Sequence, residues 1–348
     1  SDNTKTVQKT ITLLQSGTDL TDGKVKTYKD GAECSDFTAG DTITVKATPT
    51  PTGAAPTNSA MFAASFTAPT AGQMAVFVND KQVSEPASAV DGSYTMTVSA
   101  ADVLLAAGGP GTEIPLTARF TANDNMADGA GTATVNITAA AKAEKDGKVI
   151  GYYGESNLDD AFTNDSATVT LLANVERTNT LNIKVNCTLD LGGHNITFTG
   201  TENVWVQGLV TAMTIRGEGE IISEQGHALV VTGSVTLEGG TFTSNGENCA
   251  GVYVNSAGAS LSVTGEYVTI RNTGGGYGLA VNYAQSVQLS AGTYKGEKAV
   301  SIVSGTTTLG DLLNQEGASR VAYYKDNTTL VTEGLDGQTL TSGSYTVK

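Results

Sequence analysis

Short apolar-polar-apolar tripeptides recur along the second half of the chain at intervals too regular for an ordinary globular domain. One series runs Val169-Thr-Leu171, Leu189-Asp-Leu191, Met213-Thr-Ile215, Val235-Thr-Leu237, Leu261-Ser-Val263, Val287-Gln-Leu289 and, more weakly, Thr307-Thr-Leu309. A second, offset series runs Leu181-Asn-Ile183, Val204-Trp-Val206, Leu229-Val-Val231, Val252-Tyr-Val254, Leu279-Ala-Val281 and Val300-Ser-Ile302. A third and looser series is Ile196, Ile221, Phe242, Val268 and Tyr294, separated from the first by glycines such as Gly192-Gly193 and Gly239-Gly240. Alternate residues of a strand face opposite ways, so the outer two residues of each tripeptide face a core and the middle one faces solvent. In the first series every inward residue is aliphatic at Leu171, Leu191, Ile215, Leu237, Val263, Leu289 and Leu309. The residue just before each of them, from Thr170 and Asp190 to Thr308, is polar.

A single coil of this kind cannot bury its own apolar side, so successive coils must stack. The period of 20–26 residues suits a right-handed, three-faced parallel β-helix, with insertions accommodated in the turns. The open ends of such a helix need cover. Ser156–Phe162 predicts a short helical cap, with Ser156 and Asp159 at capping-box spacing and Leu158, Ala161 and Phe162 on one face. Asp311–Gly317 and the polar strands between Val321 and Val347 predict a cover for the far end.

The N-terminal third alternates too, in short runs without a fixed period: Thr42–Ala47, Met74–Val78, Tyr94–Val98, Leu116–Phe120 and Thr132–Ile137. Turn signals such as Asn79-Asp80, Asp91-Gly92 and Gly108–Gly111 separate them, which predicts a β-sandwich of seven or eight strands. Ala139–Gly147 reads as a linker without a strand pattern. The chain is therefore expected to be all-β: residues 1–141 a β-sandwich, residues 142–348 the right-handed parallel β-helix.

Two stretches carry resemblances. Ala39–Gly53, Ala75–Val83, Asp91–Ala100 and Leu116–Thr138, in that order, resemble a bacterial immunoglobulin-like domain of surface proteins, with Pro51–Ser65 as a long insert. That resemblance implies a stalk, spacer or binding module without catalytic residues. Ser156–Phe162, Val169–Glu176, Leu189–Thr197 and Tyr323–Val331 resemble repeats of β-helical surface proteins of anaerobic gut bacteria, with a pectin-lyase-like fold. This second resemblance covers roughly residues 150–340 and implies an extracellular, secreted or surface-attached, adhesin-like protein.

Composition narrows the chemistry. Forty-one glycines and only 16% charged residues fit β-structure with many turns. A net charge of −15 disfavours nucleic acid and anionic membrane surfaces as partners. No apolar run is long enough to span a membrane as a helix, so membrane insertion is not expected. The polar start Ser1–Thr6 reads as a mature or trimmed N-terminus. Three cysteines, Cys34, Cys187 and Cys249, make no disulfide framework and no zinc spacing. Cys187 falls in phase with the inward residues and reads as a small buried hydrophobe. The oxygen-rich segment Asn123–Gly129 lacks the spacing of a calcium loop, so neither metal nor cofactor is expected.

Enzymatic readings find little support in the residues. Asp190 is the only aspartate between Ser166 and Gly310, Glu218 and Glu220 fall in a Gly-rich stretch, and the arginines and lysines form no ladder with them. His194 and His227 have no nucleophile arrangement beside them and read as surface or turn residues. Gly274–Gly276 reads as a turn and not a phosphate cradle. The expectation is a monomeric, non-catalytic protein that meets a host or bacterial surface glycan or protein. The alternative is a β-helical polysaccharide lyase or glycosidase. The one outward row that is not polar is Trp205, Val230 and Tyr253 in the second series. An exposed apolar row marks a contact: either packing against the N-terminal domain or a long loop, or a ligand platform, for example for sugar rings.

Overall fold

A computed structural model describes residues 17–21, 23–52, 72–121, 127–304, 307–313 and 321–348. Most of the Pro51–Ser65 insert, most of the Asn123–Gly129 candidate and the Ser1–Thr6 start lie outside the described residues. The chain is all-β and divides into two compact units, Ser1–Thr138 and Ala139–Lys348.

The first unit holds two main sheets. One is four-stranded, in the order Tyr94–Ser99, Thr42–Ala47, Val25–Lys29, Ala32–Glu33. The other runs Asp36–Thr38, Gly129–Thr138, Gly111–Thr121, Gln73–Val78, Lys81–Gln82. Period-two burial is strict in Tyr94–Ser99, where Tyr94, Met96 and Val98 are buried and the residues between them exposed. Tyr94 meets Phe120 of the other sheet edge-on, with ring centroids 5.8 Å apart. Turn expectations hold at Asn79-Asp80 and Asp91-Gly92, all four with positive φ. One element was not legible: Ala100–Ala107 forms a short α-helix that buries Val103 and Leu104 and stops at Gly108 in the left-handed region (φ 93°).

The second unit is a β-solenoid of about five turns. Its parallel strands form three faces. Face A stacks Ala167–Leu171, Cys187–Asp190, Met213–Arg216, Ser234–Leu237, Ser260–Val263 and Ser286–Leu289. Face B stacks Val175–Arg177, His194–Phe198, Gly219–Ser223, Thr241–Ser244 and Thr269–Asn272. Face C stacks Leu181–Ile183, Val204–Val206, Leu229–Val231, Ala250–Val254 and Tyr277–Asn282. One long strand, Thr293–Ser304, closes both B and C. Inward aliphatic side chains of all three faces form a single core, from Val169 and Leu181 to Leu289 and Val300, each fully buried.

Face C has the register expected of the second series throughout, with Trp205 over Val230 over Tyr253 over Ala280 over Ser301. Face A departs at its start. Val169 pairs with Leu189 as expected, but Leu189 pairs with Ile215 and not Met213, so the rungs that continue the later coils are Ala167–Val169 and Cys187–Leu189, two residues earlier than expected. A two-residue slip keeps every side chain on its own face, so alternation alone cannot detect it. The outward row is consequently Thr168, Thr188, Thr214, Thr236, Ser262 and Gln288, and Asp190 pairs with Arg216. Thr307–Leu309 is not a strand, although Leu309 is buried. On face B, Ile270 and not Val268 follows Phe242, for the same reason of phase without register.

Ala139–Gly147 also differs from expectation. Ala141–Lys145 and Lys148–Tyr153 form an antiparallel hairpin across the positive-φ pair Asp146-Gly147, and the first strand pairs antiparallel with Ala167–Leu171. Ala141 and Ala143 point inward, fully buried; their small size hid a genuine alternation. Beside this hairpin, Leu158–Thr163 forms a 3-10 helix that buries Leu158, Ala161 and Phe162. Its start is not a capping box: Asn157 is the N-cap and accepts a hydrogen bond from the Gly154 N–H at 2.8 Å, while Asp159 pairs with Arg177 at 2.5 Å. At the far end Asp311–Leu313 buries Leu312, and Thr339–Val347 pairs antiparallel with Thr293–Ser304. Antiparallel strands thus cover edges at both ends of the parallel stack.

Candidate functional site

Face C carries the expected row. Trp205 is exposed at 39%, and Val230 and Tyr253 are half-buried. The Trp205 indole is fixed: its Nε1–H donates to Thr232 Oγ1 at 3.0 Å, and that hydroxyl donates to the Val206 carbonyl at 2.8 Å. Tyr253 is held on two sides. Its ring stacks on His227, centroids 4.5 Å apart and planes 20° apart, and its hydroxyl accepts from Asn282 Nδ2 at 3.1 Å. His227 is anchored in turn, because its Nδ1 accepts the Ala250 N–H at 2.9 Å. That bond requires an unprotonated Nδ1, and burial lowers the imidazole pKa below its ordinary value.

Amide side chains fringe the two rings. Gln207 Nε2 donates to Asn182 Oδ1 at 3.3 Å, and Asn282 Nδ2 donates to Asn255 Oδ1 at 2.9 Å. An amide NH2 carries two donors and its oxygen two lone pairs, so these groups hold one another in place and retain capacity for a ligand. At the corner after face C stand two further exposed apolar side chains, Leu209 and Tyr283. Tyr283 takes a left-handed backbone, φ 58°. Sequence reasoning missed His227 and the amides. Their partners are 23 to 29 residues away, one coil over, and only the register makes them neighbours.

Among the described residues, the ion pairs of the solenoid lie off face C. Asp190 and Arg216 on face A are joined at 3.0 Å. On face B, Glu220 lies in the strand Gly219–Ser223 and not in a turn, while Glu218 precedes it. Arg271 is in register with Lys295 and reaches two coils to Glu220 at 2.7 Å, with the Thr243 hydroxyl between them: it donates to Glu220 Oε1 and accepts from Arg271 Nε at 2.7 Å. Arginine and lysine therefore do share a ladder here, contrary to the reading from the sequence. Arg177 occupies an inward position and is buried against Asp159.

Cys34, Cys187 and Cys249 are all free thiols. Cys187 lines the core under Met213, and burial pushes its thiol pKa up to about 12. Among the described residues no cluster of three His, Cys, Asp or Glu side chains is arranged to hold a metal, and no helix is long and apolar enough to cross a membrane. No protein-family model, curated protein or solved structure matches the chain.

Proposed function

We propose that this is a secreted or surface-attached, adhesin-like binding protein that holds a glycan on face C of its β-solenoid, without cleaving it. In this reading the N-terminal unit is a bacterial immunoglobulin-like spacer. The observation that carries the reading is the pair of fixed aromatic rings, Trp205 and Tyr253, on an outward ladder flanked by amide side chains. Sugar rings present apolar faces that stack on aromatics and hydroxyls that amides can bind; both needs meet here. Of the solenoid's acidic side chains, Glu220 is bound to Arg271 and Asp190 to Arg216, which suits structural ion pairs better than a general acid and base.

A glycan-array screen of the full chain, paired with a polysaccharide-cleavage assay, tests this. Binding that is lost in Trp205→Ala, with an unchanged unfolding midpoint, is the expected result. Binding by that variant at full strength refutes the platform, and release of shorter chains from any polymer overturns the non-catalytic assignment in favour of the lyase or glycosidase alternative.

A further inference from the structure

Resting on that reading, the geometry points to the class of glycan: we infer that face C takes an extended, uncharged polysaccharide whose chain runs along the solenoid axis. Three features of the face lead there. The first is spacing. Neighbouring parallel strands lie ~4.8 Å apart, so rings two coils apart in one column stand about 10 Å apart along the axis. Trp205 and Tyr253 are such a pair, with Val230 between them. One sugar ring is too short to reach both. Alternate rings of an extended chain repeat at close to this interval, and the intervening ring would lie over the flat aliphatic surface of Val230.

The second feature is direction. The apolar row itself runs along the axis, Trp205 over Val230 over Tyr253, and exposed Tyr283 stands on the coil beyond Tyr253. The amide pairs repeat with the coils as well, Asn182 with Gln207 at one end and Asn255 with Asn282 at the other. A ligand lying along the axis meets an aromatic ring and then an amide pair at each end. A ligand lying across it meets only one coil.

The third feature is charge. The two outward columns of face C, from Asn182 to Ser301 and from Lys184 to Asn282, contain Lys184 as their single charged side chain. A uronate or sulfated polymer would find one cation there, on a chain of net charge −15. A cationic glycan would find no carboxylate. A protein partner is the weaker fit: stable protein interfaces bury about 800 Å² a side around a continuous apolar centre. Here the exposed apolar row is only Trp205, Val230 and Tyr253, fringed by polar amides, and Ala280 and Ser301 beyond Tyr253 are buried.

Titration calorimetry of the full chain with uncharged gluco-, manno- and xylo-oligosaccharides, from disaccharide to octasaccharide, tests the inference against oligogalacturonates of the same lengths. Affinity is expected to rise with length and level off once the chain spans Trp205 to Tyr283. The disaccharide should bind at least about tenfold more weakly than the longest member in one uncharged series. Trp205→Ala should abolish the length dependence and Trp205→Phe should restore most of it, both with the wild-type unfolding midpoint. Equal affinity for short and long chains, or binding of the galacturonates alone, overturns the extended, uncharged assignment while leaving a glycan site in place. Failure of every carbohydrate, or capture of a protein through Trp205 instead, overturns both that assignment and the proposed function.

Discussion

Asn272 offers the sharpest test of how the solenoid holds the platform in place. It ends a face B strand, is only 7% exposed, and organises the corner from which the next face C strand departs. Its Nδ2 faces Gly246 O at 2.9 Å, Cys249 O at 3.1 Å and Ser244 Oγ at 3.1 Å; its Oδ1 accepts from the Gly274 and Gly276 N–H groups at 2.9 and 2.6 Å. In Asn272→Ala the carbonyls keep other donors, because Cys249 O still accepts from Tyr277 N and Gly246 O from Cys249 N. The two glycine N–H groups do not. A buried donor left without an acceptor costs about 1–3 kcal/mol, in full at the buried Gly276 and in part at Gly274. Together with the smaller loss of the Ser244 bond, Asn272→Ala should destabilise the second unit by about 2–4 kcal/mol. Urea unfolding, followed by the fluorescence of the single tryptophan, Trp205, reads this as a lower midpoint. Asn272→Asp separates the hydrogen-bond account from simple packing. Its carboxylate still accepts from both glycines but sets a negative charge against three oxygens. Its proton is therefore held more tightly in the fold, and the variant should recover stability as pH falls and lose it as pH rises through the folded pKa. A change below about 0.5 kcal/mol for Asn272→Ala, or no pH dependence in Asn272→Asp, would refute the reasoning.

Other outcomes follow from the same geometry. Leu237→Ala removes a fully buried side chain from the middle of the stack and should cost about 2–5 kcal/mol in the same urea assay. Thiol labelling of the native protein should modify the half-exposed Cys34 and Cys249 and spare the buried Cys187 until denaturant is added. His227 has a lowered pKa in the fold, so its contribution to stability is complete above the ordinary imidazole value of 6.5 and is lost as pH falls towards the folded pKa. His227→Phe keeps the ring on Tyr253 and should flatten that part of the pH–stability profile.

How the site's parts differ in legibility follows from what alternation encodes. Trp205, Val230 and Tyr253 were readable as one outward row because the face C tripeptides stack in the register of their own alternation, with the differences in coil length taken up in the turns. Glu220 and Arg271 were not readable as a pair, since 51 residues separate them and a bridging threonine lies on the coil between. The hairpin Ala141–Tyr153 escaped notice because its inward residues are alanines, whose alternation with Lys142 and Glu144 resembles a helical or unstructured linker. The helix Ala100–Ala107 escaped for the opposite reason: it follows directly on a strand, and its N-cap, Ser99, is also that strand's last alternating residue.

Hydrophobic alternation by itself determined that the chain is all-β, that residues beyond about 166 coil and stack, and which side of each strand meets the core. These are local properties, because a side chain's facing depends only on its neighbours two residues away. Register is a different matter. A shift of two residues leaves every facing unchanged, so Leu189 could take its place beside Ile215, and not Met213, only when whole coils packed together. The same packing brought His227 onto Tyr253, Asn282 onto its hydroxyl and Thr232 onto the Trp205 indole. Sequence thus set the row of rings on the outer surface, and only the stacked coils decided what fixes each ring in place.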